Sequence, residues 1–115
     1  MNLGDLEWYR GDSYPINILI KNKSTGQPID LTGYSFLLTC SSVKDPVDTS
    51  SQLFQVDGVI PDQTTNTGEV VFTPSETDTA IDPGKYFYDI EMTDPVGNIR
   101  TIAKYKFNIL QDITK

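Results

Sequence analysis

The stretch Asp82-Pro83-Gly84-Lys85-Tyr86-Phe87-Tyr88-Asp89-Ile90-Glu91-Met92 decides the fold class. From Lys85 onward, Tyr86, Tyr88, Ile90 and Met92 fall on one side of an extended chain and Phe87, Asp89 and Glu91 on the other. That period of two marks a half-buried strand. Pro83 and Gly84 just before it break any helix and set a turn. Asp94-Pro95-Val96-Gly97-Asn98 then reads as a hairpin loop leading into a partner strand from Ile99 to Leu110. Tyr105, Phe107 and Ile109 form the closing face of that strand, whose length predicts a change of phase near Ala103.

The same signature recurs upstream. Ile16, Ile18 and Ile20 share one face of the run from Tyr14 to Lys21, and Ser24-Thr25-Gly26 follows as a turn. Pro28 to Gly33 is too short and too rich in Pro and Gly for a helix, and it feeds a strand carrying Tyr34, Phe36, Leu38 and Cys40 on one side. Val43 to Gln52 reads as a loop or ragged edge, Leu53 to Val56 as a strand, and Asp57-Gly58 as a tight turn. Beyond the polar stretch Pro61 to Gly68, Glu69-Val70-Val71-Phe72-Thr73 has strand composition. Pro74 to Asp78 reads as one capped helical turn crossing between sheets.

About seven short strands with turn signals between them predict an all-β chain, an immunoglobulin-like antiparallel β-sandwich. Residues 1–115 are expected to make a single domain, with 1–13 as an N-terminal arm or edge strand. The hydrophobic fraction of 37% is lean, but six Tyr, five Phe and one Trp supply large buried areas, which argues against disorder. Tyr86 fits a tyrosine corner, the position at the start of the next-to-last strand whose hydroxyl bonds upstream backbone. Where disulfide-bearing members of that fold place a cysteine, two residues on, this chain has Tyr88.

Chemistry is limited by what the chain lacks. There is no histidine, which removes Ser-His-Asp catalysis and leaves Cys40 as the sole soft zinc ligand. The carboxylates occupy turn positions such as Asp57, Asp62, Asp78, Asp82 and Asp94, and no calcium-loop spacing occurs. No catalytic residue, cofactor or metal site is therefore expected, and the protein reads as a non-enzyme. A net charge of −7 repels nucleic acid and anionic lipid. A single cysteine, an N-terminus without an apolar signal region and the absence of any long apolar run predict cytoplasmic synthesis without a membrane span. Arg10-Gly11-Asp12 reads as a turn rather than an adhesion motif, and Asn22-Lys23-Ser24 as a polar hairpin end.

Three segments in order, Tyr9-Arg10-Gly11-Asp12-Ser13-Tyr14-Pro15, Pro28-Ile29-Asp30-Leu31-Thr32-Gly33-Tyr34 and Pro83-Gly84-Lys85-Tyr86-Phe87-Tyr88-Asp89, carry a family likeness. Together they resemble the immunoglobulin-like domains of tailed-bacteriophage virions, similar to the N-terminal domain of phage upper-baseplate proteins. The resemblance implies a virion structural protein, made in the host bacterial cytoplasm, that docks to other tail, baseplate or fibre proteins. Its partners would be other phage virion proteins, with many copies in a symmetric assembly. A capsid decoration (cement) protein is the alternative within that class, and a carbohydrate- or receptor-binding module using Trp8, Tyr9, Tyr14 or Phe87 is the alternative from another. The candidate protein contact is the aromatic-rich arm, Leu6, Trp8, Tyr9, Arg10 and Tyr14. Trp8 serves equally well as a plug for the sandwich.

Overall fold

A computed structural model describes residues 6–9, 11, 13, 15–22, 24–43 and 49–110. Among them are seven strands: β1 (Leu6–Tyr9), β2 (Ile16–Leu19), β3 (Ser35–Ser41), β4 (Gln52–Asp57), β5 (Glu69–Phe72), β6 (Gly84–Thr93) and β7 (Ile99–Leu110). One sheet has the order β1-β7-β6-β3-β4 and the other pairs β2 with β5. This is the immunoglobulin-like sandwich that the alternating runs predict, with β3, β6 and β7 in the places of strands C, F and G and β2 and β5 in those of B and E. The pairs are antiparallel except β1 with β7, which is parallel.

The alternation works because each apolar set meets the other sheet. Ile16 and Ile18 of β2 and Val70 and Phe72 of β5 pack with Phe36, Leu38 and Cys40 of β3, Tyr88 and Ile90 of β6, and Phe107 and Ile109 of β7. Leu38, Ile90, Val70, Phe72 and Phe107 are wholly buried. Phe107 meets both Tyr88 and Phe54 edge-on, with ring centroids 6.2 and 6.1 Å away, an arrangement that favours aromatic pairs beyond their area. Leu31, from the irregular Pro28–Gly33 segment, is also wholly buried and anchors that segment to the core.

The phase change on β7 is a bulge. Ile90 pairs with Ala103 but Glu91 pairs with Thr101, so Ile102 is the extra residue. A second irregularity lies between Cys40 and Ser41, where Cys40 opposes Phe54 and Ser41 opposes Gln52, leaving exposed Leu53 unpaired with β3. Tyr105 departs from the closing face assigned to it: it lies opposite Tyr88 yet stays 40% exposed. Among the described residues β1 reaches Phe107 and stops short of Tyr105, so no strand covers that flank.

The capped turn is α1, Glu76–Thr79, with a full capping box: the Ser75 hydroxyl accepts from the Asp78 N–H, and the Asp78 carboxylate accepts from the Ser75 N–H. It carries the chain from β5 in one sheet to β6 in the other. Asp57-Gly58 differs from its sequence reading. Gly58 donates to the Phe36 carbonyl, and Val59 then exchanges hydrogen bonds with Val71 of the other sheet, so this is a crossing and not a hairpin turn. A Cβ on Gly58 would stand 2.7 Å from Val70 and 2.8 Å from Phe36, so only glycine lets the backbone pass between the sheets there.

Candidate docking surface

The arm begins on the edge of the larger sheet. β1 runs parallel to the end of β7, Leu6 opposite Phe107, Trp8 opposite Ile109 and Tyr9 opposite Leu110. Gly11 then turns with φ of +87° and donates to the Thr79 carbonyl at 3.3 Å, tying the arm to α1 before the chain enters β2. Arg10 and Tyr14 lie outside the described residues, as do the side chains of Leu6, Trp8 and Tyr9. Tyr86 stands three residues into β6, and its hydroxyl donates to the Asp82 carbonyl at 2.5 Å. That bond ties the β6 entry back onto the preceding turn. Burial, and secondarily the Asp82 carboxylate, raises the Tyr86 pKa.

The carboxylates do structural work in the loops. Asp94 accepts from the backbone N–H groups of Val96 and Asn98 across the β6–β7 hairpin. Asp30 accepts from the hydroxyl and N–H of Thr32, and Asp62 from the N–H and hydroxyl of Thr64. Donors of this kind favour the ionised form, so all three titrate below the usual carboxylate range. For Asp94 the Asn98 amide contributes most, for Asp30 the Thr32 hydroxyl and for Asp62 the Thr64 amide.

Gln63 has a role with no sequence signature. Its side-chain oxygen accepts from Leu31 N–H and Gly68 N–H, both at 2.9 Å, while its amide nitrogen donates to the Pro61 and Asn66 carbonyls. One side chain thus joins two loops separated by more than thirty residues and satisfies the amide of fully buried Leu31.

The two most exposed large apolar side chains among the described residues lie at the other end of β7 from the arm. Val96 at the hairpin tip is 83% exposed and Ile99 at the start of β7 66%. Beside them runs a cleft of about 410 Å³ lined by Tyr34, Met92, Asp94, Asn98, Ile99 and Arg100. Met92 and Arg100 also line a neighbouring groove of about 560 Å³ that reaches Ile20, Lys21, Ile29 and Ile102. The available sequence cue was Val96 itself, an apolar residue in an otherwise polar hairpin loop. Phe87 is half-buried opposite Lys106, whereas Tyr105 lies opposite Tyr88, so Phe87 and Tyr105 face opposite sides of the sheet and do not form one stacking platform.

No protein-family profile matches the chain, and no curated protein matches it. Among solved structures the chain is similar to CopC from Methylosinus trichosporium OB3b, with a TM-score of 0.52 over 97% of this chain and 89% of that one. Identity is 11%, so the likeness is one of fold, a β-sandwich built from a different sequence.

Proposed function

We propose that this protein is a non-enzymatic bacteriophage virion component that docks to other tail, baseplate or fibre proteins through its sandwich surface. The observation that carries the reading is the apolar surface at the β6–β7 hairpin, Val96 and Ile99, continuous with the cleft along Met92. Apolar residues left in water beside a cleft mark a surface that a protein neighbour covers. The three ordered segments that resemble tailed-phage virion domains supply the kind of neighbour. Asp30, Asp62, Asp78 and Asp94 accept hydrogen bonds from loop and cap backbone, which supports reading them as builders of turns.

Mass spectrometry of purified virions tests the proposal. The expected result is recovery of this chain in intact particles, together with no signal for the isolated protein on a glycan array. Absence from particles, or selective glycan binding, overturns it.

A further inference from the structure

Strand β2 has β5 as its strand neighbour among the described residues, and the residues that follow it, Ile20, Lys21 and Asn22, line the groove. Ile20 donates to the Gly68 carbonyl on the β5 side at 2.8 Å. Backbone groups alternate along a strand, so the N–H and C=O of Asn17, Leu19 and Lys21 point to the opposite edge. No strand of the described residues lies there. In the constant-type immunoglobulin arrangement, strand A takes that place beside B; here β1 pairs instead with Phe107–Leu110 of β7.

Across the opening stands the start of β7, Arg100 to Ile102, also without a second strand neighbour among the described residues. The groove between combines apolar Ile20, Ile29, Met92 and Ile102 with two cations, Lys21 and Arg100, and no carboxylate lines it. In a chain of net charge −7 that is a local reversal of sign.

We propose that the edge of β2 facing away from β5 receives an extended acidic segment of a partner protein as an added strand. The segment's backbone pairs with Asn17, Leu19 and Lys21, its apolar side chains cover Ile20, Ile29 and Ile102, and its carboxylates meet Lys21 and Arg100. The inference rests on the docking reading above and gives it a place and a partner chemistry. Two whole chains of net charge −7 repel one another, whereas a short acidic segment meets chiefly Lys21 and Arg100 in the groove, so charge favours a partner segment over a second copy.

The test uses the full chain and two end-blocked synthetic peptides, one alternating Val with Glu and one alternating Val with Lys. Binding is followed by amide chemical shifts and hydrogen exchange. The Val-Glu peptide is expected to bind and to protect the amides of Asn17, Leu19 and Lys21, with the Val-Lys peptide at least about tenfold weaker. Combined Lys21→Glu and Arg100→Glu substitutions, both at exposed positions, are expected to reverse that preference. Leu19→Pro removes an N–H that faces away from β5, which an edge strand tolerates, and is expected to abolish binding while cooperative unfolding persists.

Absence of Val-Glu binding, equal binding of both peptides, or protection elsewhere on the chain overturns the proposal. Self-association that protects the same amides without peptide also overturns it and makes a second copy the occupant. Failure of the peptide with the chain present in virions removes the groove assignment alone. Peptide binding with the chain absent from virions removes the virion reading alone.

Discussion

Cys40 illustrates how burial sets chemistry at a single residue. It is fully buried between Phe54 and Tyr88 in the sheet, and desolvation pushes its pKa up from 9.0 to about 12. The folded chain therefore holds this proton more tightly than the unfolded chain. The Cys40 contribution is complete below about pH 9 and is lost as pH rises toward 12, with a slope of up to about 1.4 kcal/mol per pH unit. Denaturant titrations between pH 8 and 11 check this, as does resistance of the folded thiol to alkylation; a Cys40→Ala variant removes the Cys40 share of the high-pH slope and leaves that of Tyr86. Gln63→Ala has a separate signature. It strands the Leu31 and Gly68 amides and is expected to cost about 2–4 kcal/mol, read as a lower denaturant midpoint at unchanged slope. Neither role is written locally in the sequence. Cys40 shows only as one member of an alternating face, and Gln63 sits in a polar stretch whose partner Leu31 lies far upstream.

At the scale of elements, the runs with strict alternation were the legible ones. The strands around Ile16, Phe36, Val70 and Tyr88 follow the pattern because one face of each meets the opposite sheet. The capped turn at Ser75 was legible for a local reason, a hydroxyl and a carboxylate three residues apart. The crossing at Asp57-Gly58 was not. Asp-Gly has the local chemistry of a turn, and what overrides it is distant: Phe36 of β3 and Val70 and Phe72 of β5 crowd the glycine from two strands in different sheets. Gly58→Ala is expected to destabilise by about 1–3 kcal/mol through overpacking, as measured by equilibrium unfolding. The exposure of Tyr105 escaped the sequence for a related reason, since among the described residues the flank it borders depends on where β1 begins, not on the residues of β7.

For the whole molecule, two sheets of unequal width define what is available to a partner. The sheet of β2 and β5 covers one face of a five-stranded sheet, and the start of β7 lines a groove with Ile20 and Lys21, just past β2. The arm chosen from sequence and the apolar surface seen in the structure lie at opposite ends of β7. Composition marked the arm through its aromatics, while the hairpin end was concealed because Val96 and Ile99 are unremarkable until their exposure is known. Under the proposed docking role, the two positions are two separate places where a neighbour would be met in an assembly. The most direct measurement is a density map of the intact phage particle, with this chain located by its sandwich shape. The expected map places it in the tail or baseplate with the β6–β7 hairpin end against a neighbouring protein. A particle map without the chain, or one in which that end faces solvent in every copy, contradicts the docking account.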